Sequence, residues 1–246
     1  MRTGNWLLRR PTAKARLRLF CFPYAGGNAA AYLNWQPMLG PEIEVCAIQL
    51  PGRGTRMGEP AIDRLAPLVR QLAEVIAGEG DLPAAFFGHS LGALVAFELA
   101  RFSKLMHLRV PERLIVSGCQ APSVRQAREQ LHTLPDAELI EELRRYNGTP
   151  AAILAHAELM ALVLPAIRAD FAIVETYAYR AGIRLDQPID VFAGTNDPIV
   201  PPDRVAPWLA ETERPGGIHW FEGDHFFLDT QPEAVAARLR DLLRPA

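Results

Sequence analysis

Lysine is nearly absent from this chain: Lys14 and Lys104 are the only two, so arginine carries almost all of the positive charge. Acidic and basic side chains nearly cancel, leaving a formal net charge of −2 and no basic excess with which to hold nucleic acid. Long apolar runs are also missing. No segment approaches the ~20 apolar residues that a membrane span needs. Trp6-Leu7-Leu8 is followed by Arg9-Arg10 with no apolar stretch behind the arginines, unlike an export signal. Cysteine is scarce and scattered, at Cys21, Cys46 and Cys119. Such an odd set speaks against a disulfide framework and fits reduced core thiols in a cytoplasmic protein. No cysteine–histidine cluster suggests a metal, and no internal repeat or low-complexity linker divides the chain.

What is present is ordinary globular material. Apolar residues make up 49% and charged residues 22% of 246 residues, enough to build one large α/β domain. Residues 5–10 could form a short edge strand. From residue 16 the pattern alternates. Strands are predicted at 16–22, 43–49, 84–87 and 113–117, and helices at 29–39, 62–77 and 93–101, the second with apolar residues at a 3.6 period. That rhythm implies a mostly parallel, doubly wound sheet. It breaks between about 122 and 180, where two helical patterns (136–146, and 155–179 interrupted by Pro165) replace strands. It then resumes with strands at 189–193 and 218–221 and helices at 203–211 and 232–243. The expected organisation is a single domain over 1–246, with a core of 1–121 and 181–246 and a helical lid inserted at about 122–180. Connections of this size in α/β domains usually cover or bind substrate.

The centre of the pattern is Phe86-Phe87-Gly88-His89-Ser90-Leu91-Gly92, an apolar strand ending in Gly-x-Ser-x-Gly with a helix directly behind it. A serine on so tight a turn has a strained backbone and a hydroxyl pushed above the sheet edge, with the helix N-terminus facing any anion formed there. The bland alternative is a glycine-rich turn, so the partners of a serine nucleophile decide. Such a nucleophile needs a base and a carboxylate to orient it, following in the chain order Ser, Asp, His. Asp197, in the turn Thr195-Asn196-Asp197-Pro198 after a late strand, fits the acid better than Asp190 at that strand's other end. His225, in Gly223-Asp224-His225-Phe226-Phe227, is the histidine placed after both the acid and the last strand. His219 falls within that strand. His107, His132 and His156 lie on a helix end or the helical insertion, and His89 is expected to pack beside the turn. The oxyanion donors are expected to be the Leu91 N–H and one N–H of Ala25-Gly26-Gly27, with Ala25 preferred over Gly26.

Taken together, these residues resemble the type II thioesterases associated with polyketide and nonribosomal peptide synthetases. The similarity runs over essentially the whole chain. It includes Phe22-Pro23-Tyr24-Ala25-Gly26-Gly27, Leu50-Pro51-Gly52-Arg53-Gly54-Thr55-Arg56 and the elbow, then Leu134-Pro135-Asp136, Gly148-Thr149-Pro150 and Leu164-Pro165-Ala166-Ile167-Arg168-Ala169-Asp170. The segments in the helical insertion discriminate most, since a generic esterase would share only the triad. The resemblance implies an α/β-hydrolase fold and the release of acyl groups from the phosphopantetheine arm of carrier proteins, clearing misprimed or stalled units. Ser90, Asp197 and His225 match the family's triad position by position. No metal or diffusible cofactor is implied; the partner is a transiently bound acyl or peptidyl carrier protein, and the chain is expected to be a monomer. Residues 101–109 and Cys119 depart from the usual pattern.

Within the lid, Leu159, Met160, Val163, Ile167 and Val174 are candidates for lining an acyl tunnel, with helix packing as the alternative for at least half of them. Arg53 and Arg56 are expected near the entrance, where they would attract an acidic carrier. Arg168 and Asp170 are expected to form lid ion pairs. Three rival readings share the fold: a general carboxylesterase, an acyltransferase in which an alcohol or amine replaces water, and a non-catalytic carrier-binding protein.

Overall fold

Three central strands are apolar almost throughout because both of their faces are covered. These are Leu17–Phe22, Ile43–Ile48 and Ala84–His89, with the last two wholly buried. The computed structural model describes residues 6–125, 130–146, 148–149 and 151–244. In chain order the elements are β1 (Leu7–Arg9), β2 (Leu17–Phe22), α1 (Ala30–Leu33), α2 (Trp35–Leu39), β3 (Ile43–Ile48), α3 (Leu65–Ala77), β4 (Ala84–His89), α4 (Leu91–Leu105) and β5 (Arg113–Ser117). They continue with α5 (Asp136–Tyr146), α6 (Ala151–Leu154), α7 (Ala157–Thr176), β6 (Ile189–Gly194), β7 (Pro215–Phe221), α8 (Phe227–Thr230) and α9 (Pro232–Leu243).

The sheet runs β1-β3-β2-β4-β5-β6-β7, parallel except for the antiparallel edge strand β1 against β3. It is an α/β-hydrolase fold, with helical elements inserted between β5 and β6. Side chains alternate across β2 as a strand requires. Leu17, Leu19 and Cys21 join one core with α1, α2 and α9, while Phe20 and Phe22 join the other with α3 and α4. The inserted helices carry a third, smaller cluster of their own, built on Leu139, Leu143, Met160, Leu164, Ile167 and Phe171.

Two predicted helices take a different form. The 29–39 helix is two short ones, α1 and α2, meeting at Asn34. Pro37 has no N–H for the carbonyl of Leu33, so a continuous ladder cannot pass. The 203–211 helix is two 3₁₀ segments, Pro202–Arg204 and Ala206–Glu211. There Pro207 removes the bond to Asp203 in the same way. Pro165, by contrast, does not break α7. It deprives only Ala161 of a donor, and that residue is exposed, where water can reach the freed carbonyl. Among the described residues, no helix is long and apolar enough to cross a membrane.

Candidate active site

Ser90 sits between β4 and α4 with φ 54° and ψ −113°, a left-handed backbone that non-glycine residues rarely adopt. The turn is that tight because the segments around it almost touch. A Cβ at Gly88 would overlap the Gly92 carbonyl, and one at Gly92 would overlap the Phe22 carbonyl of β2. The Ser90 N–H donates to the Ser117 carbonyl at 2.8 Å, tying the elbow to the end of β5. The strain is therefore held from both sides.

Asp197 lies in the turn after β6 and His225 in the turn after β7, both at the same C-terminal edge of the parallel strands as Ser90. The His225 Nδ1 lies 2.7 Å from Asp197 Oδ2, with both side chains buried. The other carboxylate oxygen accepts the N–H groups of Ile199 (2.7 Å) and Val200 (3.1 Å), so Asp197 cannot swing away. An ionised carboxylate only accepts, which assigns the proton to Nδ1 and leaves the lone pair on Nε2. The His225 ring lies 5.0 Å from that of His89, the residue before Ser90. His89 is fully buried, with Nδ1 2.9 Å from the Ser117 hydroxyl. Burial first, and the nearby His225 second, push its pKa well below the ordinary value, so His89 stays neutral beside the site.

Ala25, Ser90 and Leu91 line one cavity of about 320 Å³. The Gly26 N–H is spent on Asp170 Oδ2 at 2.7 Å. The N–H groups of Ala25 and Leu91 have no protein acceptor among the described residues. Of the two candidates in that loop, Ala25 is thus the one with a free donor. The far side of the cavity is formed by Tyr146, Phe171, Val174, Tyr177 and Tyr179 from the inserted helices and the chain just after them.

A protein-family model for the thioesterase domain matches residues 17–243. The chain is 44% identical over 235 residues to the gramicidin S biosynthesis protein GrsT of Aneurinibacillus migulanus, covering 94% of this chain and 92% of that one. It is 39% identical to thioesterase PikA5 of Streptomyces venezuelae, covering 98% and 86% respectively. Among solved structures, the type II thioesterase BorB from the borrelidin biosynthetic cluster superposes with a TM-score of 0.88 at 35% identity, over 100% of this chain and 99% of that one. The chain belongs to the type II thioesterase family.

In this thioesterase the lid candidates divide. Val174 lines the cavity. Met160 and Ile167 are buried in the helices' own cluster, Val163 packs against it, and Leu159 is 42% exposed; none of these four reaches the cavity. Ile167 instead packs beneath the loop after β2, where a Cβ at Gly26 would stand 3.2 Å from it. The aromatic residues of the cavity wall were not among the sequence candidates. The cluster Tyr177, Tyr179 at the close of the helical pattern was the available signal.

The expected entrance arginines are a correction. Arg53 is buried in a bidentate pair with Asp170 (2.6 and 2.7 Å), and Arg56 is buried 3.9 Å over the Trp6 ring, bonded to Glu59 and the Gln49 carbonyl. Neither guanidinium is free to meet a partner. Asp170 consequently joins α7 to the core rather than pairing within the insertion, whereas Arg168 does pair within it, with Asp136 at 2.5 Å. Asp190 is also structural, engaged by Arg113, His219 and the Gly217 N–H.

Proposed function

We propose that Ser90, His225 and Asp197 are the residues with which this type II thioesterase hydrolyses acyl thioesters on the phosphopantetheine arm of carrier proteins. The observation that carries the assignment is the buried 2.7 Å His225–Asp197 pair at the strand edge that also bears the strained Ser90 turn. His225 Nε2 takes the Ser90 proton as the hydroxyl oxygen attacks the thioester carbonyl. The tetrahedral oxyanion rests on the Ala25 and Leu91 N–H groups, at the N-terminus of α4. Collapse expels the thiolate, a good leaving group because a thiol pKa is near ~8.5, and His225 returns the proton to it. Water then attacks acyl-Ser90, with His225 again accepting and returning the proton.

Residues 122–180 serve as the lid on a core of 1–121 and 181–246, and the cavity beneath them receives the acyl group. At about 320 Å³ it lies at the small end of ligand pockets, which suits short acyl chains. None of the three buried cysteines is in a disulfide, which supports a cytoplasmic setting.

The test is to load a carrier protein with acetyl, propionyl and longer acyl groups and follow their loss by intact-protein mass spectrometry. Wild type should discharge the carrier faster than it cleaves p-nitrophenyl esters, and Ser90→Ala should discharge nothing measurable. Activity confined to the simple esters would instead identify a general esterase.

A further inference from the structure

With Arg53 and Arg56 buried, another cationic surface stands out. A groove of about 570 Å³ runs between α3, α4 and the chain leaving α7. Leu65, Phe102 and Leu105 form its apolar floor, and Arg64, Arg70 and Arg180 its exposed rim. Arg64 has only Asp63 nearby, at 3.8 Å. Among the described residues, Arg70 and Arg180 have no carboxylate partner. Leu105 is 59% exposed, an apolar side chain flanked by Arg70 and Arg180, which have no carboxylate partner, and by Arg64 with its loose Asp63 contact.

The groove adjoins the acyl cavity, since Tyr177 and Ala178 line both. That shared wall is firmly held. The Tyr177 hydroxyl donates to Glu98 Oε1 at 2.7 Å, the same oxygen that pairs with Arg101 at 2.6 Å. Arg101 in turn donates to the Arg180 and Ile183 carbonyls and lies over the Tyr179 ring. Arg101 is therefore consumed in building the wall and leaves the rim arginines as the free charges.

Resting on the carrier-protein function proposed above, we infer that this groove seats the carrier at the root of its arm, with Arg64, Arg70 and Arg180 receiving the phosphodiester. That anion is present on every loaded carrier, whatever the charge of the rest of its surface. Distance supports the assignment. Residues 98–105 of α4 lie about 12 to 22 Å from Ser90 along the helix axis. The arm from phosphorus to the thioester carbonyl has about fourteen bonds, the length of roughly five extended residues or ~16 Å. That length spans the nearer part of this range, and the path to Ser90 runs through the Tyr177–Glu98 wall, which must part to admit the arm.

The experiment compares kcat/KM on acyl-carrier with kcat/KM on acyl-pantetheine, which lacks both phosphate and carrier. In Arg70→Glu/Arg180→Glu the ratio should fall at least ~tenfold, carried by KM. Arg70→Gln/Arg180→Gln should fall between, and the wild-type ratio should drop in high salt. An unchanged ratio in an active wild-type background overturns the docking site alone. Failure of wild type to discharge any acyl-carrier overturns the proposed function, and the docking site with it.

Discussion

The strand-edge site and the helices inserted above it are held by different physics. Around Ser90, backbone meets backbone: carbonyls fill the space where a Cβ would stand at Gly88 and Gly92, and hydrogen bonds hold Asp197 through both oxygens. The inserted helices have their own small apolar cluster and meet the core both through Ile173 and Val174, which join its apolar packing, and through polar pins. Chief among these are Arg53–Asp170 and Tyr177–Glu98. One region is rigid because nothing can move without collision. The other joins the core along the C-terminal half of α7 and at those pins, with a separate apolar cluster beyond them.

The sharpest way to probe the rigid half is Asp197→Asn. It preserves shape but lets the amide favour the wrong His225 tautomer, so kcat should fall about 10⁴-fold with little change in melting temperature. A loss below tenfold would mean that Asp197 does not orient the base. The pinned half is challenged by Arg53→Met, which leaves Asp170 buried with only the Gly26 N–H for company. That should cost about 3–5 kcal/mol in urea unfolding, and removing both partners as Arg53→Met/Asp170→Leu should cost less than the single change. If the double variant is the worse one, the pair is not the pin described here.

The smallest effect belongs to His89, between the two regions. Its folded pKa is well below 6.5 because burial, first, and the neighbouring His225 ring, second, disfavour its cation, so below about pH 6.5 the unfolded chain binds a proton that the native state refuses. Stability should therefore decline as pH drops through that window, by up to ~1.4 kcal/mol per pH unit, until His89 itself titrates. Above pH 6.5 it contributes no slope. The difference in unfolding free energy between wild type and His89→Gln, measured across pH 4.5 to 8, should show that slope. A flat difference would mean that His89 protonates freely in the folded enzyme.

The same contrast explains what could be read in advance. Strands β2 to β5 and the helices α5 and α9 follow from local pattern, since burial on one or both faces writes itself into adjacent residues. The placing of Ser90, Asp197 and His225 each after a strand could be read because the pattern marks those strands. The two mistaken helices were local failures, at Pro37 and Pro207, where a missing N–H outweighed apolar periodicity. The entrance arginines, and the lid candidates other than Val174, were placed differently for another reason. Periodicity shows that a residue faces something apolar without showing which partner it meets, and an arginine looks the same in sequence whether it is paired or free.

The sequence alone thus determined the alternating α/β architecture, the tight turn bearing Ser90 and the placing of Asp197 and His225 after late strands, because short-range sterics and strand order govern all of them. Only the tertiary structure decided that Asp170 reaches across 117 positions to Arg53, that Gly26 is spent while Ala25 is free, and that Arg70 and Arg180 are the unpaired cations. Those outcomes depend on which distant side chains arrive within ~3 Å of one another, and no local pattern encodes that distance.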